Sequence, residues 1–314
     1  MQTKKFGRIG LLMGGPSSER EISLKTARSV YDSLIALGLD VVAIDITSDD
    51  PQETARLLSS HRINCAFIAL HGYFGEDGQI QSILERMGIP YTGSGSQASC
   101  QAMDKRLARG LFAAAGLSVP QAILLSKQDR RDDEYVRSQI PFAFPWVIKP
   151  VHQGSSIGLS IIDTMDQAGQ ALQVAFSFDR QALIEQFIAG RELTVGILDD
   201  QALPVIEIVT RNKFFDYQAK YQTGFTDYIV PAELDAGTTR LVQAAAVAAH
   251  KAVGCHGYSR VDLILDAGGT AFILEVNTIP GMTQTSLLPK AARVKGIDFS
   301  ALSLRLLELA YEKK

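Results

Sequence analysis

Three short, mainly apolar runs near the start of the chain, at 9–13, 41–46 and 65–70, are separated by helix-patterned and polar stretches. Runs of this length read as buried strands. Strands that alternate with helical segments are laid side by side in parallel, with the helices as crossovers. This β-α-β-α-β pattern predicts a parallel sheet over residues 1–93. The turn Gly14-Gly15-Pro16-Ser17-Ser18 ends the first run. Ser18 and Glu21 then have capping-box spacing, and Ile22, Ala27, Val30, Leu34 and Leu37 recur on one helical face as far as Gly38.

The next block, 94–185, reads as a compact α+β unit. A helix is predicted from near Asp104 to Gly116, with strands at 122–125 and 146–149 and a solvated connection at 127–139 between them. A small-residue turn at 152–158 leads to a strand at 159–162, a helix at 166–176 and a strand at 183–187. The last block, 186–314, opens with strands at 193–198 and 203–209. Residues 210–228 are polar and aromatic without periodicity, which suggests a lid over a site. An alanine-rich helix at 239–253, strands at 259–265 and 271–276, and further helical patterns complete the chain.

The net charge of −3 argues against an electrostatic nucleic-acid binder, and no stretch has the length of a membrane-spanning helix. Three scattered cysteines, Cys65, Cys100 and Cys255, fit a reducing compartment rather than a disulfide framework, so a cytoplasmic location is expected.

Two strand segments carry the strongest chemical signal. Arg260-Val-Asp262 and Glu275-Val-Asn277 flank the turn residues Gly268-Gly269, so a hairpin brings Asp262 near Glu275 and Asn277. Side chains two apart share a face, and three oxygen-bearing groups at a strand end suit Mg²⁺ beside phosphates. Arg260, on the face of Asp262, can counter the charge of a transferring phosphoryl group. Lys149 ends an apolar strand directly before Gly154-Ser-Ser-Ile-Gly158, a turn whose amides can approach phosphate oxygens. Lys105 opens a helix, an unfavourable place for a cation unless it faces an anion. The turn is not a P-loop, and the first glycine turn is not a dinucleotide fingerprint.

Taken in order, the motifs resemble those of D-alanine–D-alanine ligases of the ATP-grasp superfamily. They are Gly14-Gly-Pro-Ser-Ser-Glu-Arg-Glu-Ile-Ser, His71-Gly72, Gly75-Glu-Asp-Gly78, Pro90-Tyr-Thr-Gly-Ser-Gly95 and Met103-Asp-Lys105. They continue through Lys149-Pro150, Gly154-Ser-Ser-Ile-Gly158, Asp216-Tyr217, Ala219-Lys220-Tyr221, Arg260-Val-Asp262, Glu275-Val-Asn277-Thr-Ile-Pro-Gly281-Met and Ser286-Leu287. The resemblance spans nearly the whole chain. It implies an N-terminal Rossmann-like α/β domain (1–93) followed by a two-lobed ATP-grasp fold, with a central lobe (94–185) and a C-terminal lobe (186–314).

The resemblance also implies an activity: ATP-dependent joining of two D-alanines through an acyl phosphate, for peptidoglycan precursors. Glu19 and His71 would hold the first D-alanine, and Ser286 and Leu287 the carboxylate of the second. Arg260 and the backbone of Gly281 would stabilise the tetrahedral intermediate. Lys105, Lys149, Ser155 and, from the lid, Lys220 would meet ATP phosphates. Glu185, Gln186, Phe187 and Ile188 would read adenine, and Glu192 the ribose. Asp262, Glu275 and Asn277 would hold two Mg²⁺ or Mn²⁺, with Asn277 also touching the nucleotide. Tyr221 is expected to link through Ser155 to Glu19. A homodimer is the family expectation. Competing readings are another ATP-grasp ligase using a different amino acid or a hydroxy acid, and an idle nucleotide-binding regulator. Tyr221 argues against ester formation, and the retained Arg260, Asp262, Glu275 and Asn277 argue against an idle protein.

Overall fold

The computed structural model describes residues 6–129, 132–210 and 226–312. Strands β1 (Ile9–Gly14), β2 (Val41–Ile46) and β3 (Cys65–Ile68) form a parallel sheet in the order β2-β1-β3. β3 is buried along its length and β1 everywhere except Met13, as expected for strands covered on both faces. The helices Arg20–Ala36 and Pro51–His61 make the crossovers.

The first of these helices departs from the expected capping box. It begins at Arg20, with Glu19 in the N-cap position, and the Glu19 side chain makes no capping bond. Ser17 Oγ instead accepts from the Glu19 N–H at 3.1 Å, which frees the Glu19 carboxylate to turn away from the helix. Val30 and Leu34 lie on the buried face, whereas Leu37 falls off it.

The second sheet is antiparallel, with β4 (Ala122–Ser126), β5 (Trp146–Pro150), β6 (Ser160–Ile162) and β7 (Gln181–Gln186) in the order β4-β7-β5-β6. Its core joins Trp146, Ile148 and Ile184 to Leu172 and Phe176 of the helix Ala168–Phe178. The solvated connection expected at 127–139 contains a short helix, Asp133–Gln139, N-capped by Asp132. One residue of it, Val136, is buried.

The third sheet contains β8 (Gly190–Leu198), β9 (Gln201–Ala202), β10 (Ile206–Thr210), β11 (Thr226–Ile229), β12 (Tyr258–Asp266) and β13 (Ala271–Asn277). Their order is β11-β10-β8-β12-β13, with β9 beside β8. The helix Ala236–Ala252 covers it through Val242, Ala246 and Ala249. The ends of the expected lid belong to this sheet, because Thr210 pairs with Thr226 and Val209 with Asp227. The remainder of that stretch, with Lys220 and Tyr221, lies outside the described residues.

Parallel sheet first, then two antiparallel lobes: this is the architecture that the resemblance implies. The chain then returns to its start. Leu302, Leu306 and Leu307 of the helix Phe299–Ala310 share a core with Ile9, Leu11, Val30, Leu34 and Phe67. Ser33 Oγ and Ser300 Oγ meet at 3.1 Å across this junction. Leu306 is fully buried there, so Leu306→Ala is expected to cost about 2–5 kcal/mol. Urea unfolding followed by circular dichroism measures this, and a loss below about 1 kcal/mol would show that the C-terminal helix is not part of the N-terminal core.

Candidate active site

Two cavities lie between the sheets, one of about 440 Å³ and one of about 420 Å³, and Lys105 and Glu275 line both. Glu19, His71, Ser155, Arg260, Asn277, Gly281, Ser286 and Leu287 line the first. Lys149, Glu185, Gln186, Phe187, Ile188, Glu192 and Asp262 line the second.

At one end of the first cavity the Glu19 carboxylate, 7% exposed, accepts a hydrogen bond from Ser155 Oγ. This contact joins the turn after β1 to the glycine–serine turn after β5. It also explains Gly72, which has φ +66° and whose added Cβ would lie 2.7 Å from Glu19 Oε2. His71 sits beside them, with Nε2 3.0 Å from Thr26 Oγ1 and Nδ1 3.2 Å from Glu76 Oε1. At the other end Ser286 is the N-cap residue of the helix Leu287–Val294 but gives that helix no side-chain cap. Its Oγ accepts instead from the Thr283 N–H at 3.0 Å. The first amides of the helix are thereby left for an anion in the cavity.

The second cavity has apolar walls from Ile161, Phe187, Ile188, Ile208, Ile264 and Leu274. At its polar end Glu185 is 3% exposed and holds two cations, Lys149 Nζ at 2.6 Å and Arg109 Nη1 at 2.8 Å. The N–H groups of Gln186 and Phe187 are already bound to the Gln121 and Pro145 carbonyls at 2.8 and 3.2 Å. These two N–H groups are therefore not open to a ligand at this edge.

The cavities meet at the β12–β13 hairpin. Asp262 stands opposite Glu275 and Arg260 opposite Asn277, and the pairing shifts register just after Asp262. Such an irregularity re-aims side chains locally. Arg260 grips Asp262 with two hydrogen bonds, of 2.9 and 2.7 Å, and Thr194 Oγ1 donates to the same carboxylate at 2.6 Å. Lys105 Nζ donates to the Gln153 carbonyl at 2.6 Å and lies 3.4 Å from Glu275 Oε2. Two carboxylates and an amide oxygen suit a hard divalent cation. Among the described residues no three His, Cys, Asp or Glu side chains cluster for a metal, so the amide of Asn277 would have to supply the third side-chain donor.

Several residues at the site carry no role in the sequence reading. Arg109 is four residues after Lys105 on the same helix face, and the carboxylate it meets, Glu185, is far along the chain. Thr26 follows Glu19 by seven residues and so returns to its face of the helix. Glu76 appears in the sequence only as part of a motif. Tyr228, which has Lys290 Nζ 4.1 Å from its ring centroid, closes the aromatic stretch expected as a lid but had no role of its own there.

Two family models match the chain: "D-ala D-ala ligase N-terminus" over residues 47–94 and "D-ala D-ala ligase C-terminus" over residues 111–308. A D-alanine--D-alanine ligase of Geotalea uraniireducens is 48% identical over 311 residues, covering 99% of this chain and 96% of that protein. One of Geobacter sulfurreducens is 46% identical, with coverage of 96% and 94%. Among solved structures, the D-alanine--D-alanine ligase of Bacillus anthracis complexed with ATP superposes with a TM-score of 0.85 at 33% identity, over 98% of each chain. The VanG D-Ala:D-Ser ligase of Enterococcus faecalis gives 0.82 at 30% identity, over 98% of this chain and all of that one.

Burial pushes the Glu76 carboxyl above its ordinary value of 4.5, against the opposing pull of the His71 hydrogen bond. A raised folded-state pKa favours the protonated form in the fold, so its stabilising contribution is present at low pH and lost as pH rises above 4.5. Glu76→Gln removes that loss. The stability of the wild type relative to the variant should therefore fall between pH 5 and pH 8 in urea titrations, and a constant or rising difference would contradict the assignment.

Proposed function

The chain belongs to the D-alanine–D-alanine ligase family, and from that premise we propose that it makes D-alanyl-D-alanine while converting ATP to ADP and phosphate. The observation that carries this reading is the meeting of two cavities at Lys105 and Glu275. One has the apolar walls and cationic end that a nucleotide needs. The other has a carboxylate at one end, and an arginine and a helix N-terminus at the other, as two amino acids in line would require.

In this reading Glu19, with His71 beside it, takes the ammonium of the first D-alanine. A carboxylate oxygen of that substrate attacks the γ-phosphorus, the bond to the β-phosphate oxygen breaks, and ADP departs. The amine of the second D-alanine, having lost its proton, adds to the acyl carbon. Arg260 and the Gly281 amide meet the oxyanion, and the carbon–oxygen bond to phosphate then breaks. Ser286 and the amides at Leu287 receive the carboxylate of the second D-alanine. Lys105, Lys149 and the 154–158 turn hold the phosphates. The Phe187 ring and the backbone near Ile188 take adenine, and Glu192 takes the ribose. Asp262, Glu275 and Asn277 would hold divalent cations, whose chemistry is to neutralise charge on the bridging phosphates. Lys220 would meet the γ-phosphate and Tyr221 would link through Ser155 to Glu19, which would shield the acyl phosphate from water. A homodimer in the cytoplasm completes the proposal. No helix among the described residues is long and apolar enough to cross a membrane.

Phosphate release from ATP, measured side by side with D-alanine, D-serine, D-lactate and L-alanine, tests the reading. D-alanine alone should drive release of one phosphate per dipeptide with ADP as the nucleotide product. Formation of AMP and pyrophosphate, or no dependence on D-alanine, would exclude it. A second expectation concerns the hairpin. Glu275→Gln should lower kcat by about a thousandfold, a barrier rise of about 4 kcal/mol, while leaving the thermal midpoint within a few degrees. Near-normal turnover at limiting Mg²⁺ would remove Glu275 from the metal site.

A further inference from the structure

The turn between β5 and the phosphate-facing loop contains a histidine with no role in the mechanism above. His152 Nδ1 lies 2.8 Å from Asp179 Oδ2, and its own N–H donates to the same oxygen at 2.8 Å. On the other edge of the ring, Nε2 lies 3.5 Å from Asp104 Oδ2. These two carboxylates belong to different elements. Asp179 follows the helix Ala168–Phe178, and Asp104 N-caps the helix Lys105–Ala114 through the Arg106 and Leu107 amides. Arg106 also reaches Asp104, at 3.3 Å.

The flanking residues make contacts of the same kind. The Lys105 N–H donates to the Val151 carbonyl at 3.3 Å, and Lys105 Nζ donates to the Gln153 carbonyl. Residues 151, 152 and 153 therefore each touch the corner from which Lys105 projects, just beyond the strand that carries Lys149. Burial alone would raise the Asp179 carboxyl, but the His152 and Gln181 N–H groups and the His152 ring hold it below its usual range.

We propose that His152 is a positioning residue for nucleotide binding: by bridging Asp179 and Asp104 it fixes the distance between Lys105 and Lys149. This rests on the reading that those two lysines grip the phosphates of ATP. The imidazole is half exposed and each ionic contact is individually weak, so its removal should leave the fold intact. The geometry of the phosphate grip is a different matter, since small displacements of binding groups change occupancy strongly.

The test compares the wild type with His152→Ala and His152→Gln. The glutamine amide keeps a donor of similar reach toward Asp104. Binding of ATP with Mg²⁺ is measured by calorimetry, and KM and kcat by steady-state phosphate release. The alanine variant should weaken ATP binding and raise KM for ATP by about fivefold to tenfold. Its kcat at saturating ATP and its KM for D-alanine should stay within about twofold of wild type, and the glutamine variant should recover most of the lost affinity. Unchanged ATP affinity in the alanine variant would overturn the proposal. So would a fall in kcat, both KM values and thermal midpoint together, or a glutamine variant as weak as the alanine one. A wild type that makes no dipeptide would instead overturn the ligase reading, while the calorimetric comparison still decides the role of His152.

Discussion

The ion pairs at the polar end of the second cavity set the terms for much of the surrounding structure. Lys149 and Arg109 converge on one carboxylate, Glu185, and all three groups are nearly out of water. An unpaired charge at such depth costs several kcal/mol, and two cations meeting without the acid would repel as well. Glu185 removes both problems, and in doing so ties the helix Lys105–Ala114 to the centre of the second sheet. Arg260 with Asp262, and Lys105 with Glu275, repeat the arrangement at the hairpin. A site that must attract a polyanion is therefore built from cations already neutralised from within. The fold can carry this much positive charge because each cation has an acid of the chain beside it.

How much of this could be read from the sequence depended on how local the signal was. The parallel strands were legible because short, mainly apolar runs, buried almost throughout in β1 and β3, alternate with helical patterns. The hairpin was legible because Arg260, Asp262, Glu275 and Asn277 alternate on strands joined by a glycine turn. Among the described residues, three helices were not. Ser96–Met103 buries only small side chains, Ala98, Ser99 and Ala102, which leave no apolar rhythm. Asp133–Gln139 is too short to show one, and Gln79–Met87 was passed over between the third strand and the closing turn. The start of the first helix was misread for a physical reason. Ser18 and Glu21 have the spacing of a capping box, but Glu19 stands at the cap with its carboxylate committed to Ser155 in the turn after β5. Local propensity carries no record of a partner that distant. Lys149 with Arg109 poses the same difficulty, since the acid joining them lies far along the chain.

Closure of the site is distributed over all three sheets. The first supplies Glu19 and His71, the turn after β5 supplies Ser155, and the third sheet supplies Arg260 and the hairpin oxygens. No one lobe holds a complete set, so substrate binding and the relative placement of the lobes are linked. The contact between Glu19 and Ser155 joins two of these parts directly.

The helix Phe299–Ala310 lies against the helix that follows β1, and the Tyr311 hydroxyl donates to the Phe6 carbonyl at 3.1 Å. A ribosome delivers these partners far apart in time, because most of the sequence lies between them. The two antiparallel lobes pair strands that are closer in sequence and can form as they emerge, whereas the first sheet must wait for its last cover. Until then the side of this core that Leu302, Leu306 and Leu307 close stays open, so the first sheet is made before the lobes that follow it and is covered after them.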